Sequence, residues 1–133
     1  MKKRVLFICT HNSARSQMAE GLLKSLYGNR YEAFSAGTEK TSVSPYAIEA
    51  MKRIGIDISG HRSKSVEEFR GQSFDFVVTV CDSAKESCPF FPGEKIIHKS
   101  FEDPSGATGS HERILAVYER VRDEIKDWIE ETF

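Results

Sequence analysis

Cys9 and Arg15 bracket the segment Cys9-Thr10-His11-Asn12-Ser13-Ala14-Arg15-Ser16, which follows directly on the apolar run Val5-Leu6-Phe7-Ile8. The run reads as a short buried strand, and the stretch from Gln17 to Leu26 reads as an apolar helix. A strand that passes through a short loop into a helix offers backbone N–H groups as a seat for a tetrahedral anion. Arg15 adds a planar fork of donors suited to two of the anion's oxygens. Cys9, held in that positive field, is expected to ionise and act as a nucleophile. Ser16, read alone, serves as readily for a helix cap as for a catalytic hydroxyl. Asp103, next to Pro104, starts a turn as readily as it donates a proton.

A second pair of thiols lies downstream. Cys81 follows the apolar run Phe74 to Val80, and Cys88 precedes Pro89. The intervening residues 82–87 suit a helix, with Asp82 near its start and Pro89 just beyond its end. On such a helix the two cysteines share a face but stand about 10 Å apart along the axis. A disulfide needs Cα atoms within roughly 7 Å, so the pair closes only if the helix unwinds. This segment is therefore expected to be a redox-driven switch. A zinc site from Cys81, Cys88 and His98 fits no short-knuckle spacing and lacks an evident fourth ligand, so no metal is assigned. His61 and His98 read as structural or surface histidines.

The elements that must position these groups alternate. A helix is expected from about Ser16 to Tyr27, a strand from Tyr31 to Ser35 closed by an Ala36-Gly37-Thr38 turn, and a helix capped by Ser44-Pro45 and running to about Ile54. A short polar helix follows over Ser63–Phe69, then strands over Phe74–Val80 and Lys95–Lys99. From about Ser110 onward, Ile114, Tyr118, Val121, Ile125, Trp128 and Ile129 recur at helical spacing and mark a core-facing terminal helix. Strands alternating with helices imply an α/β sandwich, a parallel sheet covered on both faces with its functional crevice at the strands' carboxyl ends. Cys9 and Cys81 both fall at such ends.

Composition restricts the function classes. The 133 residues suit one domain with a single core. Lys+Arg at 19 against Asp+Glu at 20 gives a net charge of -1, so no global field draws in nucleic acid or an anionic membrane. The apolar run after Met1-Lys2-Lys3-Arg4 ends at Ile8, too short for a signal peptide, and no later run spans a bilayer. A cytoplasmic location is expected. Three cysteines are an odd number for a structural disulfide framework and point to thiol chemistry in a reducing compartment.

The segment Ile8 to Gly21 closely resembles the signature of arsenate reductases built on the low-molecular-weight tyrosine phosphatase fold. Ser35-Ala36-Gly37, Val77 to Cys81, Cys88-Pro89 and Asp103-Pro104 follow in matching order, so the likeness spans nearly the whole chain. It implies a single-domain three-layer sandwich with a four-stranded parallel sheet in the order 2-1-3-4. It further implies that residues Thr10 to Arg15 hold arsenate, with phosphate or sulfate as competing oxyanions, while Cys9 attacks the arsenic. Asp103 would protonate the departing oxygen, and Ser16 would hydrogen-bond the Cys9 sulfur. Cys81 would then attack Cys9, releasing arsenite, and Cys88 would move the disulfide outward to a thioredoxin or similar thiol reductant. No bound cofactor is required, and a monomer suffices.

Three departures accompany the likeness. His11 stands where many relatives have glycine, and it tolerates a left-handed backbone better than most residues while adding a cation near the anion. Ala14 replaces a residue that is cysteine in some members. Some relatives bind potassium beside the loop; Asn12, Glu20 and Ser35 match that site, but Lys64 falls where a carboxylate is expected, and potassium is left unassigned. Two other functions compete: a low-molecular-weight protein tyrosine phosphatase working through a phosphocysteine, and a non-catalytic oxyanion-binding or thiol-sensing module. Against the first, Asp103-Pro104 is followed by Ser105-Gly106 rather than by aromatic residues that would grip a phosphotyrosine ring.

Overall fold

The computed structural model describes residues 2–81 and 91–133. Cys88 and the helix expected over 82–87 lie outside the described residues.

Four strands form one parallel sheet in the order β2-β1-β3-β4. They are β1 (Lys3–Cys9), β2 (Tyr31–Gly37), β3 (Phe76–Thr79) and β4 (Lys95–His98). In β1, Val5, Leu6, Phe7 and Ile8 are wholly buried. A central parallel strand covered on both faces has no polar alternation, and the unbroken apolar run reflects that. Odd-numbered β1 side chains, Val5, Phe7 and Cys9, join Val78 and Val80 under the helices. The even-numbered Leu6 and Ile8 face the other way, with Ala36 and Val77. The pleat alone dictates this division.

Three α-helices, α1 (Arg15–Tyr27), α2 (Pro45–Lys52) and α3 (His111–Thr132), contribute to the first of these clusters. Met18, Leu22 and Leu23 of α1, Ala47, Ala50 and Met51 of α2, and Leu115, Val121, Ile125 and Ile129 of α3 meet there. Arg122, though charged, is buried between α2 and α3, where Nη1 donates to the Ala50 carbonyl at 2.7 Å. Among the described residues, the other face is covered by the 3-10 turn Val66–Phe69 and by Phe74 and Phe91. Among the described residues, no helix is long and apolar enough to cross a membrane.

Several boundaries differ from the sequence expectation. Strand β2 runs on through Ala36 and Gly37, which pair with Ile8 and Cys9 instead of turning away. A Cβ on Gly37 would lie 2.7 Å from the Thr10 carbonyl and 2.8 Å from the Asn12 nitrogen. Glycine here lets the loop after β1 rest directly on the neighbouring strand. The polar helix expected over Ser63–Phe69 shrinks to the 3-10 turn, because Ser63 to Ser65 are extended against β2. The Gly37 amide donates to the Lys64 carbonyl at 2.8 Å, and Gly37 bridges Ser65. Strand β3 is shorter than Phe74–Val80. Asp75 turns its carboxylate to accept from the Arg4 amide at 2.7 Å, and Val80 lies beyond the strand, its amide donating to the Ile8 carbonyl at 2.8 Å. Helix α2 ends at Lys52 rather than Ile54, and Gly55 continues the chain at a positive φ of 81°.

Candidate active site

The loop between β1 and α1 is held from outside by its carbonyl oxygens. The Thr10 carbonyl accepts from Thr38 Oγ1 at 2.9 Å and from the Glu39 amide at 3.1 Å. The His11 carbonyl accepts from the Thr41 and Ser63 hydroxyls, both at 3.0 Å. The Asn12 carbonyl takes Gln17 Nε2 at 3.2 Å, the Ser13 carbonyl takes the Ser44 amide at 3.0 Å, and the Ala14 carbonyl takes the Met18 amide at 2.8 Å. A trans peptide points its carbonyl and amide in opposite directions, so a loop whose carbonyls all face out turns its N–H edge in. Helix α1 begins without a capping side chain, and its amide end faces the same space.

That space is a cavity of about 340 Å3, lined by Cys9, His11, Ser13, Ala14 and Arg15 below and by Thr41, Ser42, Asp103 and Ser105 at its rim. Thr10 and Asn12 are not among the lining residues; they shape the loop from behind. Asn12, fully buried, is the non-glycine residue with positive φ, 49°, among those described. The left-handed position therefore falls on Asn12 rather than His11, whose tolerance for that conformation is not needed. Asparagine adopts it more readily than most residues.

The orientation of the Asn12 amide follows from its partners. The Lys64 backbone N–H, which can only donate, lies 2.8 Å from Asn12 Oδ1, and Gln17 Nε2 donates to the same oxygen at 2.8 Å. Asn12 Nδ2 therefore donates to Ser16 Oγ, at 2.8 Å. The serine's own proton is available to Cys9 Sγ, 2.9 Å away, which as a thiolate can only accept. Ser16 sits inside α1, fully buried, and its hydroxyl faces the sulfur rather than capping the helix. Cys9 itself is 2% exposed.

Arg15 enters at the start of α1 and is 3% exposed. Its Nη1 donates to the Phe101 carbonyl at 3.2 Å, and Nη2 lies 3.5 Å from Asp103 Oδ2. Asp103 initiates the turn, Oδ1 accepting from the Ser105 amide at 3.0 Å, while Oδ2 faces the Arg15 guanidinium at the cavity. Cys81 is fully buried at the end of the strand next to β1, its Sγ 3.8 Å from the Ile8 carbonyl. Cys9 and Cys81 are both buried. Because β1 and β3 are adjacent and parallel, Cys9 and Cys81 come to the same edge of the sheet.

Sequence reasoning matched Asn12, Glu20 and Ser35 to a potassium site of some relatives but did not foresee the polar layer they form with Gln17 and His61 behind the loop. Gln17 is fully buried, and besides holding Asn12 its Nε2 donates to the Arg62 carbonyl at 2.9 Å. Its Oε1 accepts from His61 Nδ1 at 2.9 Å. Glu20, 5% exposed, accepts from the Ser35 hydroxyl at 2.6 Å and from Lys24 Nζ at 2.7 Å. His61 Nε2 lies 3.6 Å from the same carboxylate. Burial pushes the His61 pKa below its ordinary value, with Glu20 opposing the shift. Burial likewise lowers the Lys64 pKa, again against Glu20. The one local signal for this layer was a glutamine and a glutamate within a helix stretch otherwise rich in buried apolar residues. His98, at the other sheet edge, pairs with the Thr79 hydroxyl at 2.7 Å.

A parallel sheet of this order, with a Cys-to-Arg loop leading from its first strand into a helix, defines a phosphatase-like α/β protein. The chain belongs to the low molecular weight phosphotyrosine protein phosphatase family, whose profile matches residues 4–132. Arsenate reductases are among the family members to which it is similar. It is 47% identical over 125 residues to the arsenate reductase of Halalkalibacterium halodurans, covering 93% of this chain and 90% of the relative. A solved arsenate reductase in the phosphate binding state superposes with a TM-score of 0.84 at 36% identity, covering 98% of this chain and 95% of that one. The thioredoxin-dependent arsenate reductase of Corynebacterium glutamicum matches with a TM-score of 0.68 at 26% identity, over 98% of this chain and 61% of that one.

Proposed function

We propose that this protein reduces arsenate to arsenite through its three cysteines. The Cys9 thiolate attacks the arsenic of a bound arsenate while Arg15 and the loop amides hold the other oxygens. Asp103 gives its proton to the departing oxygen, which leaves as water. Cys81, as thiolate, then attacks Cys9 Sγ. The sulfur–arsenic bond breaks with its electron pair passing to arsenic, so arsenite leaves and a Cys9–Cys81 disulfide remains. Cys88 attacks Cys81 in turn, returning Cys9 to its thiolate. A dithiol partner of the thioredoxin type reduces the resulting Cys81–Cys88 bridge. Per turnover, one arsenate and two thiols become one arsenite, one disulfide and one water, and the electrons come ultimately from the partner.

The observation that carries this reading is a second buried cysteine, Cys81, just beyond the strand next to β1, beside the strand whose end places Cys9 beneath the loop. Phosphate-ester hydrolysis needs the first thiol and not the second. Among the described residues, the cavity lining also includes no phenyl, phenol or indole ring to grip a phosphotyrosine. The arsenate reductases it resembles support the same choice, and the thioredoxin-dependent relative supports the class of reductant.

The test supplies thioredoxin, its reductase and NADPH and follows NADPH loss on adding arsenate. Wild type turns over, Cys9→Ser is inactive, and Cys88→Ser stops after about one equivalent because the outward transfer is broken. Phosphatase turnover indifferent to loss of Cys81 and Cys88, with no arsenate-dependent NADPH loss, decides for the phosphatase. Stoichiometric anion binding with neither activity decides for a binding module.

A further inference from the structure

The carboxylate of Glu20 lies in the polar layer behind the anion loop, where the family likeness led us to consider potassium. The donors already present do not fit a metal ion. Glu20 Oε2 accepts from the Lys24 ammonium at 2.7 Å, and Oε1 accepts from the Ser35 hydroxyl at 2.6 Å with Lys64 Nζ 3.9 Å away. Asn12 Oδ1, the other oxygen a cation would use, is occupied by two N–H donors. One buried carboxylate thus faces two ammonium groups and the His61 ring. A monovalent metal brought among them would meet two like charges and oxygens whose lone pairs are engaged.

We propose that Lys64, assisted by Lys24, is a built-in cation that positions the nucleophile's loop, so the loop needs no bound monovalent metal. Lys64 acts through two points of attachment. Its backbone N–H fixes Asn12 Oδ1, and with it the orientation of the amide that donates to Ser16. Its side chain, 12% exposed, donates to the Arg62 carbonyl at 2.8 Å and lies against Glu20. The carbonyl of the same Arg62 receives Gln17 Nε2, and the Lys64 carbonyl receives the Gly37 amide. One lysine therefore ties the segment 62–64 to the loop, to α1 and to β2. Because the charge is covalently attached, it is present at any salt composition, whereas a bound ion is present only at its own concentration.

Lys64 is a positioning residue and touches no substrate, so its test reads the loop and the cation together. The proposal rests on the loop being an anion site, but a thermal measurement separates it from the proposed reduction of arsenate. At about 0.15 M ionic strength, the thermal midpoint and the phosphate affinity of wild type are compared in potassium, sodium and choline chloride. Both are expected to be the same in all three, with phosphate affinity agreeing within twofold. Lys64→Ala and Lys64→Asp are expected to bind phosphate at least fivefold more weakly in choline. In Lys64→Asp, potassium is expected to restore affinity and raise the midpoint, and Lys64→Arg should resemble wild type. A wild-type midpoint that rises in potassium over both sodium and choline overturns the proposal. So does Lys64→Ala that binds phosphate in choline as wild type does. Should no form bind phosphate, the midpoints alone decide the cation question, and the anion-site reading fails separately.

Discussion

Removal of the Ser16 hydroxyl isolates what one buried hydrogen bond does for the nucleophile. Ser16 Oγ accepts from Asn12 Nδ2 and lies 2.9 Å from Cys9 Sγ in a fully buried position, so its proton is available to the sulfur whenever Cys9 is a thiolate. A hydrogen bond to a charged group is worth about 1.5–3 kcal/mol. If all of that stabilises the thiolate that attacks, Ser16→Ala slows the attack about 10- to 150-fold, at 1.36 kcal/mol per tenfold. The same substitution strands Asn12 Nδ2 without an acceptor, at a cost to folding of about 1–3 kcal/mol. Two assays separate the effects. Alkylation of Cys9 by iodoacetamide at neutral pH reports on the sulfur, and urea unfolding reports on stability. Both should fall in Ser16→Ala, while Ser16→Thr should recover part of the alkylation rate. If alkylation and single-turnover bridge formation stay within threefold of wild type while stability drops, the hydroxyl serves the fold and the reasoning is refuted.

Other outcomes follow from the same geometry. Asp103→Asn should slow the first chemical step by about 100-fold or more in single-turnover experiments. Phosphate affinity should hold or tighten slightly, since a negative charge beside Arg15 is gone; a large loss of affinity with an unchanged rate would remove Asp103 from the acid role. Gly37→Ala should cost about 1–3 kcal/mol in urea unfolding and abolish phosphate protection of Cys9. Retained protection would mean that the loop does not depend on its contact with β2. His61 gives a pH effect of definite sign. Its pKa is depressed by burial below 6.5, so below that value the unfolded chain takes up the proton more readily than the folded one. The part of stability that depends on a neutral His61 is complete above 6.5 and is lost as pH falls toward the folded value. The urea midpoint should therefore drop between about pH 7.5 and pH 5.5, and His61→Gln should flatten the drop. Equal slopes in both proteins would show that other groups govern it.

Residues that act through local spacing were legible in the sequence. Cys9, Arg15 and Ser16 share one strand-loop-helix segment, and their relation follows from that connection alone. Parallel strands alternating with helices put Cys81 at the same edge as Cys9. What could not be read was the support behind the loop. Gln17 meets His61, Asn12 meets Lys64 and Gly37 meets Ser65 across long stretches of chain, and side-chain contacts to distant backbone leave no periodic trace. Ala36-Gly37 read as a turn because small residues favour turns, whereas here their size admits a neighbouring loop. Ser63 to Ser65 read as helical from their polarity, yet tertiary hydrogen bonds to Asn12 and Gly37 hold them extended.

Arg15 does more than line the cavity. The guanidinium that faces the cavity also grips the Phe101 carbonyl and stands against Asp103, both in the connection leading from β4 to α3. Ligand occupancy and the seating of that connection are thereby thermodynamically linked, and linkage runs equally in both directions. Sequence drift in this stretch, well away from either sulfur, can retune how tightly the enzyme holds its substrate while the reacting atoms stay as they are.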